Sequence, residues 1–328
     1  MGSLDDLVIV SCRAAREFVT DLIEKVNLGE YARREGKVHV AQFSITEFAG
    51  GEVFPVSQES VRGKRLCVVH LFSQEASELG HDFHKDYMEL KIVNDSLRRA
   101  GAREITNVLP YIPYLRQERK TSGREPITAK LIIDEIFNSI APVPARLISV
   151  DMHVRAIMGF TNYPVDELTA RPLWLMYSKN HPTLRQKDNV VTVAADAGAL
   201  PRTRDYADHL GVGLAVIEKI HQSGGSQALR FIGDVKGKTA VLIEDMIGTG
   251  GTLISCAELL RKNGALPRVY AMATHGLFNR RPGQPVPEQR LFEANIRGCH
   301  NRLLATDTRV PFSCAPLVAH DETHEIRG

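Results

Sequence analysis

Short apolar, β-branched runs alternate along the chain with longer segments of helical period, the pattern of βαβ units that build a mainly parallel sheet. Strands are predicted over 38–43, 66–71, 105–110, 146–151, 190–194, 213–217, 239–244, 268–274 and 302–306. Residues 84–100 place Met88, Ile92 and Val93 on one face with Leu97 one turn on, and Arg98, Arg99 and Gly101 supply a helix stop. A second helix, 127–139, opens behind Pro126 and sets Leu131, Ile132, Ile136 and, just past it, Ile140 at core spacing. Trp174 and Met176, within 172–180, read as the core side of a third. Ala141-Pro142-Val143-Pro144 closes the second helix and is the passage between two halves, 1–145 and 146–328. The polar, Gly-rich stretch from His221 to Gln227 is either a plain loop or a mobile lid.

Charge and cysteine usage narrow the function classes. The chain has 328 residues, with 41 Lys and Arg against 39 Asp and Glu, so its formal balance of +2 gives no polyelectrolyte field and nucleic acid is not expected as a partner. The basic cluster Arg116, Arg119, Lys120 and Arg124 has no interleaved stacking aromatics, which favours a polyphosphate or plain solvent. Five scattered cysteines with no CxxC pair argue against a disulfide scaffold and imply a reducing, cytoplasmic setting. No apolar run is long enough to span a bilayer, so no membrane association is expected.

Chemistry concentrates in residues 238–252. An apolar strand runs into Glu244 and Asp245, then Gly248, Thr249, Gly250, Gly251 and Thr252, where a helix begins. Paired glycines let backbone N–H groups turn inward, and the helix adds its positive end, so the loop forms an anion nest. Thr249 and Thr252 add hydroxyl donors. A carboxylate pair does not attract phosphate, but it accepts hydrogen bonds from the vicinal hydroxyls of a sugar. Gly250-Gly251 alone would be an ordinary tight turn; together with the acids and threonines it reads as a ribose 5-phosphate cradle. No GxxxxGK run is present, so it is not a Walker loop.

This segment resembles the phosphoribosyl-binding motif shared by phosphoribosyltransferases and ribose-phosphate pyrophosphokinases. Further segments favour the second family: Pro110 to Lys120 is similar to its ATP-contact segment, Val150-Asp151-Met152-His153 to its metal-binding strand end, and Ala195-Asp196-Ala197-Gly198 to its second metal site. Phe231 to Lys238 and Ala273-Thr274-His275-Gly276 follow in the family's order. The resemblance implies an α/β protein of two phosphoribosyltransferase-like domains, mainly parallel sheets flanked by helices. It implies transfer of the β,γ-diphosphoryl unit of ATP to the 1-hydroxyl of ribose 5-phosphate with Mg²⁺, in a homo-oligomer built from dimers, up to a hexamer.

Carried over residue by residue, the resemblance assigns Phe43, Ile45, Thr46, Glu47, Arg116 and Gln117 to ATP, and His153 and Asp196 to Mg²⁺. It gives Lys219 and His221 to catalysis, Glu244 and Asp245 to the ribose hydroxyls, and Gly248, Thr249, Gly250, Gly251 and Thr252 to the 5-phosphate. Standing alone, Phe43 would be core packing, His153 structural and Lys219 a solvated loop lysine. Three positions depart from the family pattern: His221 replaces an arginine, Gly248 a third acid and Ile45 a polar residue. His221 and Gly248, together with segments 48–60 and 72–86, which are longer than the family's, raise an alternative function, a non-catalytic homologue that assembles with and regulates an active synthetase.

Overall fold

The computed structural model describes residues 6–29, 36–72, 83–221, 227–279 and 283–300, with backbone only for 219–221, 227–230 and 299–300. The expected strand 302–306 and residues 222–226 of the predicted loop lie outside them. Two compact units divide at Thr169 and Ala170.

In the first unit, six parallel strands stand in the order β2 (His39–Val40), β1 (Leu7–Ser11), β5 (Arg65–Val69), β6 (Glu104–Val108), β7 (Ala145–Val150) and β8 (Val165–Leu168). β7 and β8 complete this sheet, so the unit ends later than the boundary near residue 145 that the prolines suggest. A separate antiparallel hairpin joins β3 (Phe43–Glu47) to β4 (Val53–Ser57). α1 (Arg16–Leu28) covers one sheet face, while α2 (Phe83–Arg99) and α3 (Thr128–Asn138) pack on the other.

The second unit repeats the plan. Its order is β11 (Gln227–Ile232), β10 (Gly213–His221), β9 (Val190–Ala194), β12 (Thr239–Ile247), β13 (Val269–Gly276) and β14 (Ile296–His300), parallel except for β10 with β11. α4 (Arg171–Asn180) and α5 (Leu200–Leu210) pack on one face around Trp174 and Tyr206. α6 (Gly251–Lys262) and α7 (Pro287–Glu293) pack on the other around Leu253, Cys256, Leu260 and Leu291. Among the described residues no helix is long and apolar enough to cross a membrane.

The helices form where expected, with some faces rotated. On α2 the buried stripe is Asp86, Glu89, Leu90, Val93, Asn94 and Leu97, and Met88 is exposed. Leu131 and Met176 likewise face solvent, while Ile132, Ile136, Ile140 and Trp174 are core. Strand β10 runs past the predicted 217 to His221. Beyond Val216 it pairs only with β11, as a two-stranded ribbon needing no apolar alternation.

Candidate active site

In each sheet the first strand has its second-placed strand on one side and the rest of the sheet on the other. Connections therefore leave β9 and β12 in opposite directions, opening a crevice at their carboxyl ends, where α/β sheets bind ligands. Ala194 pairs with Ile243 in register, and two residues beyond that pair stand Asp196 and Asp245. Both acids called for sugar binding lie within β12, which runs on to Ile247. Asp245 is 6% exposed. Its Oδ1 accepts the Met246 N–H at 2.9 Å and lies 3.2 Å from Arg202 Nη1. Glu244 is half-buried.

The turn into α6 depends on one glycine. Gly250 holds φ at 76°, and a Cβ there would stand 3.1 Å from Leu291 Cδ2. A side chain would be strained on both counts. Gly251 is less constrained: its Cβ would meet Thr249 Oγ1 at 3.7 Å, an ordinary contact. Arg290 Nη1 donates to the Thr249 carbonyl at 3.1 Å and ties the turn to α7. α6, twelve residues long, begins without a side-chain cap among the described residues, so its first-turn N–H groups are available to an anion. Gly248 and Thr249 are half-buried and Thr252 is exposed at this end.

Asp196 follows β9. Its Oδ1 accepts the Ala199 N–H at 3.0 Å, and a Cβ on Gly198 would press on that oxygen at 3.3 Å. The missing side chain at Gly198 thus leaves the carboxylate a cradle. A hard carboxylate oxygen held this way fits Mg²⁺, which takes oxygen ligands and keeps waters. His153 is half-buried past β7, in the other unit; its nitrogen suits such an ion through a metal-bound water better than as a direct ligand. Just before it, Asp151 is held at φ 41°, outside the usual range for a residue with a side chain. Glu167 of β8 accepts the Met152 N–H and pairs with Arg155 at 3.1 Å. Burial pushes its carboxyl up, against the pull of Arg155.

The residues assigned to ATP divide. Ile45 is 8% exposed and belongs to the apolar core; its place in the list is corrected to packing beneath the hairpin. Phe43 is half-buried against the same core. Thr46 Oγ1 donates to the Phe54 carbonyl at 3.3 Å. Glu47 accepts Lys85 Nζ at 2.7 Å and Arg13 Nη1 at 2.9 Å, which hold its carboxyl down to about 2. Arg116 and Gln117 are exposed on the segment after β6. Gln117 Oε1 accepts the Thr128 hydroxyl at 2.7 Å, at the first residue of α3. The backbone of Lys219 and His221 lies in β10, paired with Leu229 and Gln227, so neither residue follows the strand as the sequence suggested.

Sequence reasoning missed Arg202, Glu167, Arg13 and Lys85. Arg202 had a signal: it stands in the first turn of α5, where a cation opposes the helix dipole and calls for a compensating acid. The partners of Glu167 and Arg13 are brought together by the fold and leave no spacing to read.

Against known proteins, residues 7–139 match the N-terminal domain of ribose phosphate pyrophosphokinase and residues 175–293 the phosphoribosyl transferase domain. A ribose-phosphate pyrophosphokinase of Nostoc sp. is 42% identical over 234 residues, 71% of this chain and 66% of that protein. One from Caldanaerobacter subterraneus is 37% identical over 270 residues, 82% of this chain and 78% of that protein. A crystal structure of phosphoribosylpyrophosphate synthetase from Mycobacterium smegmatis superimposes with a TM-score of 0.78 at 34% identity, covering 94% of this chain and 93% of its own. With both domain families in order, and relatives of that one name aligned across both units, the chain belongs to the ribose-phosphate pyrophosphokinase family.

Proposed function

We propose that the chain is a ribose-phosphate diphosphokinase, converting ATP and ribose 5-phosphate to AMP and 5-phosphoribosyl 1-diphosphate. The observation that carries this reading is the uncapped start of α6 behind Gly250, beside Asp245 and Asp196 at the switch point of the second sheet. First-turn N–H groups with Thr249 and Thr252 seat the 5-phosphate. Glu244 and Asp245 accept from the ring hydroxyls, with Asp245 held in place by Arg202. Phe43, Thr46, Glu47, Arg116 and Gln117 provide the nucleotide seat, the guanidinium meeting phosphate.

The sugar's 1-hydroxyl attacks the β-phosphorus, its bond to the oxygen bridging the α-phosphorus breaks, AMP departs and the hydroxyl proton is lost. Lys219 and His221 supply positive charge to the transferring group, Lys219 through a fixed ammonium. Asp196 in the second unit would hold a Mg²⁺, His153 in the first would contact one through water, and the metal would supply charge neutralisation for polyphosphate oxygens.

The relatives compared bear the name of the enzyme, which supports this reading over that of a regulatory homologue. Cys12, Cys67 and Cys256 are free thiols, in keeping with a reducing cytoplasm. We place the working form as a homo-oligomer, for which exposed Phe48 and Phe54, 5.7 Å apart, offer an apolar patch; sedimentation in buffer alone tests it. The assay for function is AMP release with ATP, ribose 5-phosphate, Mg²⁺ and phosphate supplied together. Release above background that needs the sugar is expected; release at background overturns the assignment.

A further inference from the structure

Beneath α2, at the carboxyl ends of β1 and β5, three side chains converge that the proposed reaction does not use. Cys12 follows β1, His70 follows β5 and Glu89 comes from the middle of α2. Their Sγ, imidazole nitrogen and carboxylate oxygen lie within 4.8 Å of one another. All three residues are 0% exposed. The register makes the meeting: Ser11 pairs with Val69, and the Cys12 N–H donates to the Val69 carbonyl at 3.1 Å, so Cys12 and His70 are the next residues of adjacent strands. Cys12 packs with Val10, Val68 and Leu90, on the sheet face that α2 covers.

We infer that Cys12, His70 and Glu89 form a three-ligand site for a zinc-class divalent cation, with a fourth position for water. A thiolate, an imidazole and a carboxylate are the side chains that bind Zn²⁺. Bonds of about 2.0–2.3 Å to a tetrahedral ion put ligand atoms about 3.3–3.8 Å apart. The trio therefore needs only small side-chain shifts to close around one. The carboxylate is already oriented, since Arg13 reaches Glu89 with its backbone N–H at 2.9 Å and its Nε at 2.5 Å; each oxygen keeps a second lone pair for a metal.

Charge points the same way. Asp86, 1% exposed, adds a second buried acidic side chain near Glu89, while Arg13 reaches both Glu89 and Glu47. Burial, then Glu89 and Asp86, push the Cys12 thiol well up, against the pull of Arg13. A divalent ion bound there would take Cys12 as the thiolate, with its proton released to solvent. Soft and borderline donors separate this site from the oxygen cradle at Asp196, and nothing in it depends on the diphosphoryl reaction.

The test uses the untagged full chain, stripped with chelator and titrated with Zn²⁺ alone, then with Co²⁺ alone. One tight Zn²⁺ per chain, a thiolate-to-Co²⁺ absorption band and a raised melting temperature are expected. Cys12→Ala and His70→Gln should each weaken Zn²⁺ by about 100-fold or more, at least the loss seen for groups one shell further out, and Cys12→Ala should abolish the band. Absence of the band in the wild type, or its persistence in a folded Cys12→Ala chain, overturns the site. Should Cys12→Ala fail to fold, Glu89→Gln replaces it, and an unchanged Zn²⁺ affinity there overturns the site equally.

Discussion

The two sheets place the same crevice in different hands. β1 and β5 in the first unit correspond to β9 and β12 in the second, each pair parallel and each flanked so that connections diverge at their carboxyl ends. In the second unit the crevice carries Asp196, Asp245, hydroxyls and an uncapped helix start, with Thr252 exposed at its mouth. In the first it carries Cys12, His70 and Glu89, all fully buried under α2. Topology thus fixes where a ligand can sit, and side chains decide whether that place receives a diffusible phosphate or a resident ion. The second crevice suits turnover because groups reach solvent; the first suits permanence.

If turnover belongs to the second unit, its largest sensitivity lies there. Lys219→Ala should lower kcat by about 10²–10³, the loss when one charge-stabilising donor is removed, with ATP binding retained. Equal loss in binding and turnover would move Lys219 from charge stabilisation to nucleotide binding. Asp245→Asn should next raise KM for ribose 5-phosphate about tenfold, the worth of one charge-assisted hydrogen bond of about 1.5 kcal/mol, while leaving KM for ATP in place. An unchanged sugar KM would remove Asp245 from the seat and leave it as the partner of Arg202.

How legible this was depended on whether chemistry was local. The run through Thr239 to Thr252 announced strand, acids, turn and helix in one stretch, and the structure returns them in that order, with only the strand longer. The Cys12, His70 and Glu89 trio had no such trace: its members are separated along the chain and meet only when β1 and β5 pair and α2 lies over them. Exposed Met88, Leu131 and Met176 show the same limit from another side. An apolar residue at helical spacing announces a face, but which of two neighbouring stripes is buried depends on what the helix packs against. Strand β11 escaped because its partner β10 continues as a ribbon carrying Glu218, Lys219 and His221, a polar pattern read as loop.

A smaller effect isolates the turn from the chemistry. Gly250→Ala should cost about 1–3 kcal/mol in urea unfolding, the range for a side chain forced into a sparsely populated backbone region, because φ is 76° and Leu291 stands in the way. Gly251→Ala, whose Cβ would make only an ordinary contact with Thr249 Oγ1 and which carries no positive φ, should cost less. Equal costs would mean that the turn relaxes freely and that its shape is not what makes the phosphate seat.

The smallest effect belongs to the first unit's surface. Glu47 has its carboxyl held from 4.5 down to about 2 by Lys85 and then Arg13. A carboxyl lowered on folding binds its proton more readily in the unfolded chain, so its contribution is complete above 4.5 and is lost as pH falls toward 2. Exposed ion pairs contribute little and are screened by salt, so the melting temperature of Glu47→Gln should lie only slightly below wild type at neutral pH. The gap should narrow through the acid window, and also in high salt. A gap that persists at pH 2 would assign the effect to packing of the hairpin on Ile45 and Phe43 rather than to charge, and would make this edge of the first unit as rigidly built as the turn of the second.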